Sequence, residues 1–154
     1  MIKEGDRVPD AKLIGTEGQV ISPTDFRGQK LVLYFYPKDD TTGCTREAQD
    51  FTALAKEFEK AGTWVLGVSK DDAGKHRKFI DKYGLKIALA SDVDGSACEA
   101  FGTWVEKRLY GRNYMGIDRS TFLIDRDGRI DRIWRKVKVS GHAEEVLAAA
   151  RKLA

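Results

Sequence analysis

The stretch LVLYFYPKDDTTGCTREAQDF, Leu31 to Phe51, decides the fold. Leu31–Tyr36 is an unbroken apolar run rich in β-branched and aromatic residues, the pattern of a central strand covered on both faces. Pro37 ends it, because proline cannot donate to a sheet ladder. Past the polar turn, Ala48, Phe51, Leu54, Ala55 and Phe58 recur at helical spacing, and Gly62 reads as the stop of that helix. Downstream, TWVLGVS (Thr63–Ser69) reads as a second buried strand. DDAGKHRKFIDKYG follows as a polar helix with Asp71 or Asp72 as N-cap and Gly84 as its stop. KIALASD is a short strand and GSACEAFG a short helix or turn. STFLID and RIDRIWR flank a hairpin turn at Asp127-Gly128, and GHAEEVLAAARKLA closes the chain as a helix with Arg151 and Lys152 near its negative end. This order implies an α/β fold with a central mixed β-sheet flanked by helices.

The chain has 154 residues, with no repeat and no linker-like stretch, so one domain over residues 1–154 is expected. Its net charge of +3 is the small difference between 27 basic and 24 acidic residues spread along the whole sequence. A nucleic-acid surface would gather basic residues into a patch or arm, and none is visible. The densest basic run, Arg126 to Val139, alternates with Ile130, Ile133 and Trp134 and reads as a strand with a solvated face. No window approaches the roughly 18 consecutive apolar residues of a membrane span, and MIKEGDRVPD has no apolar signal core. A cytoplasmic protein is expected. There a structural bridge between the two cysteines, Cys44 and Cys98, is not. His76 and His142 read as exposed residues on polar helices, too far apart in pattern to form a metal site.

Cys44 is the residue that asks for chemistry. Thr41 stands where a dithiol motif would have its first cysteine, which leaves a lone thiol at the mouth of a helix. A free thiol is only a few per cent ionised at neutral pH, and only the thiolate attacks. Helix-terminal amides and the macrodipole contribute up to about 1–2 kcal/mol in favour of an anion. A guanidinium near 4 Å would contribute up to about 4 kcal/mol at an effective dielectric of about 20. A nearby arginine is therefore required. Pro37 can shield one side of the thiol from water, and the Thr41 hydroxyl can donate to a substrate oxygen while accepting from a backbone amide. Such surroundings suit a peroxide, whose departing oxygen needs stabilising donors.

The pattern Pro37-x-x-x-Thr41-x-x-Cys44 resembles the peroxiredoxin signature, and YFYPKDDTTGCTREAQDF is similar to the bacterioferritin comigratory protein, or peroxiredoxin Q, subfamily. The likeness continues through GDRVPDAKLIGTEGQVISPTDFRGQKLVLYFYP, LASDVDGSACEAFGTW, GIDRSTFLID and SGHAEEVL. It implies a thioredoxin-like fold and a thiol-dependent peroxidase acting on hydrogen peroxide and organic hydroperoxides, without metal or organic cofactor. Cys44 would be the peroxidatic cysteine, oxidised to a sulfenic acid; Thr41 would bind the substrate and Pro37 would be the shield. Arg119 in GIDRSTFLID matches the active-site arginine. Glu47 matches an acidic position of the subfamily and is expected to orient Arg119 rather than touch sulfur.

Many relatives resolve the sulfenic acid with a second cysteine five residues later or on the following helix. Those positions are Gln49 and, by alignment, Ile80. The expected mechanism is therefore one-cysteine, with an external thiol reductant such as a small thiol or a thioredoxin-like protein. Cys98 reads as a structural residue. Alternatives are an atypical two-cysteine peroxidase with Cys98 as resolving residue, or a peroxide sensor that signals through the same sulfenic acid. The absence of the long C-terminal extension of obligate-dimer peroxiredoxins points to a monomer.

Overall fold

The computed structural model describes residues 2–154. Among them the chain runs β1 (Leu13–Gly15), β2 (Val20–Ile21), a 3-10 turn (Pro23–Phe26), β3 (Lys30–Phe35), α1 (Thr42–Ala53), α2 (Ala55–Lys60), β4 (Thr63–Ser69), α3 (Ala73–Tyr83), β5 (Ala88–Ser91), α4 (Ser96–Ala100), β6 (Trp104–Leu109), β7 (Arg112–Ile117), β8 (Ser120–Ile124), β9 (Ile130–Trp134) and α5 (His142–Lys152). Seven strands form one mixed sheet in the order β2-β1-β5-β4-β3-β8-β9. The apolar run lies at its heart. β3 pairs parallel with β4 and antiparallel with β8, and all six of its residues are buried. This is the thioredoxin-like arrangement expected from the sequence.

Side chains alternate across a strand, so β3 feeds two cores. Val32 and Tyr34, with Tyr36 just beyond the strand, face Cys44, Ala48 and Phe51 of α1, Phe58 of α2, Phe79 of α3 and Val146, Leu147 and Ala150 of α5. Leu31, Leu33 and Phe35 face the opposite layer, made of Val8, Leu13, Ala97, Cys98, Phe101 and Phe122. Burying such side chains contributes about 1.5–3 kcal/mol each and fixes the register of the strand that leads into the Cys44 turn.

Three features differ from the reading of the sequence. The helix after Cys44 breaks at Leu54, whose N–H bonds back three residues to Phe51 O, so Gly62 follows a short separate helix. The N-terminal pair β1–β2 caps one sheet edge. Residues 104–117 form a separate two-stranded hairpin, β6–β7, turning at Tyr110-Gly111. Both turn residues have positive φ, 52° and 76°. Tyrosine rarely adopts that conformation, which is why YG gave no hairpin signal. Elsewhere the expectations match: Asp72 caps α3 through Lys75 N, Gly84 ends it in the left-handed region, and β8–β9 turns at Asp127-Gly128. Among the described residues no helix is long and apolar enough to cross a membrane.

Candidate active site

Because β3 ends at Phe35 and Pro37 prevents its extension, the chain leaves the sheet here and re-enters as α1. Thr41 is the N-cap residue but makes no side-chain capping bond. Its Oγ1 instead donates to Lys38 O at 2.8 Å. That corrects the expected use of this hydroxyl. Its hydrogen is committed to the loop, and its free lone pairs are left to accept a hydrogen bond. Cys44 lies in the first turn, where backbone N–H groups have no intrahelical partner and favour an anion. Its exposure is 2%, so only a small part of the residue is accessible. Pro37 is exposed on the loop.

Arg119 reaches Cys44 from the start of β8, the strand beside β3. Its backbone is fixed just before β8 by Val137 N, which donates to Arg119 O at 2.9 Å. The alternation of β8 puts Leu123 in the same core as Cys44, and Arg119 continues that series four residues earlier. Nη2 then lies 3.4 Å from Cys44 Sγ, while Nη1 donates to Glu47 Oε1 at 2.7 Å. Burial works against the charge on Arg119, but Glu47 and Cys44 outweigh it and hold the guanidinium firmly protonated. Glu47 is 1% exposed. Burial pushes its carboxyl up to about 7, against the opposing charge and hydrogen bond of Arg119. Its second oxygen, Oε2, is buried without a partner, as is the Tyr34 hydroxyl.

Gly43 carries a spatial requirement that the sequence did not reveal. A Cβ there would lie 3.1 Å from Arg119 Nη2. The guanidinium passes over the helix at that point, so an added methyl group would have to displace it by a few tenths of an ångström. The only sequence signal is a glycine within the first helical turn, where neither a cap nor a turn asks for one.

The two cysteines face different layers. Cys44 packs with Val32, Tyr34 and Tyr36, and Cys98 with Leu31, Leu33 and Phe35, so the central sheet lies between them. Cys98 is fully buried, and burial together with the neighbouring Asp92 carboxylate pushes its thiol up to about 12. Both thiols are free. Gln49 is exposed on α1, and Ile80 packs partly buried against the Cys44 layer.

The two histidines are corrections. Both were expected at the surface, yet His76 is fully buried and His142 nearly so. His76 is held by Asp39 and Ala90 O. His142 shares a 2.8 Å hydrogen bond with Thr121 and packs edge-on against Phe51 and Trp134. Burial, reinforced by the charge of Arg119, lowers its pKa to about 4 even though Glu145 pulls the other way. A charged-looking helix can still turn one histidine inward when that histidine finds a polar partner in the core.

Residues 4–133 match the model of the AhpC/TSA family. Putative peroxiredoxin bcp of Coxiella burnetii is 47% identical over 146 residues, covering 95% of this chain and 97% of that protein. Peroxiredoxin Bcp of Bacillus subtilis is 45% identical over 146 residues, with coverages of 95% and 93%. A solved structure of the Xanthomonas campestris bacterioferritin comigratory protein superposes with a TM-score of 0.88 at 43% identity, covering 96% of this chain and 98% of that one. Likeness of this extent, in sequence and in backbone alike, leaves one assignment: the chain belongs to the AhpC/TSA family and, within it, to the peroxiredoxins of the bacterioferritin comigratory protein group.

Proposed function

We propose that this thiol-dependent peroxidase works by a one-cysteine cycle on Cys44, with the reducing equivalents supplied by an external thiol. The observation that carries this reading is the 3.4 Å approach of Arg119 Nη2 to Cys44 Sγ, with Nη1 anchored on Glu47. The guanidinium stabilises the thiolate and, in the transition state, the negative charge developing on the hydroperoxide. The sulfur attacks the terminal oxygen of ROOH. The S–O bond forms as the O–O bond breaks, and the departing RO⁻ takes a proton to leave as ROH. Cys44 is left as sulfenic acid. A first external thiol condenses with it, releasing water and forming a mixed disulfide. A second thiol displaces the first, returning Cys44 and a disulfide of the two reductants.

Thr41, with its hydrogen given to Lys38 O, accepts the hydroperoxide O–H and so orients the substrate. Glu47 orients Arg119, and Pro37 limits water at the loop. The X. campestris relative is described for alkyl peroxide reduction, which supports organic hydroperoxides as substrates beside hydrogen peroxide. The position of Cys98 in the opposite core layer supports an external reductant over internal resolution. Two core layers on one shared sheet support a single domain over residues 1–154. Two free thiols are in keeping with a reducing, cytoplasmic setting, and a monomer is the working form we assign.

Intact mass after one equivalent of peroxide, without reductant, tests the reading. A gain of one oxygen on Cys44, absent in Cys44→Ser, is expected. Loss of two hydrogens would mean an internal disulfide and would overturn the one-cysteine cycle.

A further inference from the structure

Outside the Arg119 cluster, a polar network lies under the loop that precedes Cys44, and the mechanism above makes no use of it. Two adjacent carboxylates of the PKDD turn, Asp39 and Asp40, both reach to α3. Asp39 points inward: Oδ1 accepts from Tyr36 OH at 2.5 Å, and Oδ2 meets His76 Nδ1 at 2.7 Å. His76 Nε2 lies 3.1 Å from Ala90 O. A carbonyl only accepts, so the ring presents its Nε2 as the donor there, and Nδ1 faces the Asp39 carboxyl. The Asp39 backbone N–H donates at 2.8 Å to Asp71 Oδ2, which also accepts from Ser69 Oγ at 2.7 Å. Asp39, Ser69, Asp71 and His76 are all buried. Asp40 points outward. Its φ of 59° lies in the left-handed region, which aspartate enters more readily than most non-glycine residues. Its carboxylate accepts from Tyr83 OH and pairs with Lys82 Nζ at 2.8 Å.

Lys38 and Thr41 flank the two aspartates. Between them runs the 2.8 Å bond that commits the Thr41 hydroxyl hydrogen to the loop. We propose that α3 positions the peroxide-binding loop: His76 through Asp39, and Tyr83 through Asp40, hold Lys38 O and Thr41 Oγ1 in the attitude that receives a hydroperoxide. These are positioning residues, not catalytic ones. The inference rests on the reading of Cys44 and Thr41 given above and adds to it a positioning element on α3, whose His76 and Tyr83 bond to the loop aspartates and not to the sulfur. A side chain held on both flanks loses less freedom when substrate arrives, which is how pre-organisation raises a bimolecular rate.

The test separates two reactions of one thiol. Attack on hydrogen peroxide needs both the Arg119 charge and the Thr41 geometry, whereas alkylation by iodoacetamide needs the thiolate alone. His76→Leu strips Asp39 of its partner and is expected to slow the peroxide reaction about tenfold or more, with alkylation within twofold of wild type. His76→Asn puts an amide N–H near the place of Nδ1 and is expected to recover most of the rate. Should His76→Leu fail to fold, Tyr36→Phe and Tyr83→Phe each remove one hydroxyl, and the same selective loss of several-fold is expected. Peroxide and alkylation rates falling together, or neither changing in folded variants, overturns the proposal. A wild-type protein that consumes no peroxide would instead overturn the assignment of the site.

Discussion

Glu47 and Cys44 share one guanidinium: three residues apart on α1, they meet the two terminal nitrogens of Arg119, at 2.7 and 3.4 Å respectively. A carboxylate so near a thiolate would by itself oppose its ionisation. Here it fixes the arginine that favours it. Burial of Glu47 lessens the conflict, because it pushes the carboxyl towards its neutral form.

Arg119→Ala removes the only cation hydrogen-bonded to the sulfur among the described residues. Attack on hydrogen peroxide is expected to slow by about 100-fold or more, some 2.7 kcal/mol of barrier, and the pH–rate profile to move to more alkaline values. Arg119→Lys is expected to recover little, since an ammonium cannot fork between Glu47 and Cys44. Stopped-flow rates across pH check both, and an unshifted profile for Arg119→Ala removes the arginine from the mechanism.

Glu47→Gln gives a signed pH effect. With its folded pKa raised from 4.5 to about 7, Glu47 binds more protons folded than unfolded between those values. Wild-type stability from this group is therefore complete at low pH and is lost as pH rises through about 7. Relative to wild type, the glutamine variant is expected to gain roughly 1–3 kcal/mol between pH 4.5 and 8. Peroxide attack should meanwhile slow several-fold as Arg119 loses its ionic anchor. Urea unfolding at the two pH values decides, and a pH-independent difference contradicts the raised carboxyl.

Gly43→Ala places a methyl group 3.1 Å from Arg119 Nη2. The guanidinium is the far end of a long side chain, so the fold should tolerate the change within about 1 kcal/mol. The arginine, however, is pinned by Glu47 and must tilt off the sulfur. Peroxide attack is expected to slow several-fold with the unfolding midpoint nearly unchanged. An equal rate would show that the crossing has slack.

Cys98 should be silent. Buried, and with its thiol pushed up to about 12, it is expected to escape a thiol-titrating disulfide reagent at pH 8 in the folded protein and to react on unfolding. Cys98→Ser is expected to keep near-normal turnover with a small thiol as reductant. Loss of turnover with the first oxidation intact would make Cys98 the resolving residue.

What could be read from sequence alone was what neighbours along the chain decide. The continuous apolar run and its proline stop marked β3, the spacing of Ala48, Phe51 and Phe58 marked the helical stretch behind Cys44, and Asp127-Gly128 marked a turn. The motif also singled out Cys44 and Thr41, and the family resemblance of GIDRSTFLID pointed to Arg119. Periodicity and turn chemistry are short-range, so a sequence carries them openly. Tertiary structure decided the rest. Arg119 stands 75 residues from Cys44 and meets it only because β8 lies beside β3 and alternation aims the side chain at α1. The tight approach of Arg119 to position 43 follows from that crossing, and the inward turn of His76 from which side of α3 packs on the sheet. The same alternation parts Cys98 from Cys44, since neighbouring residues of one strand point to opposite faces.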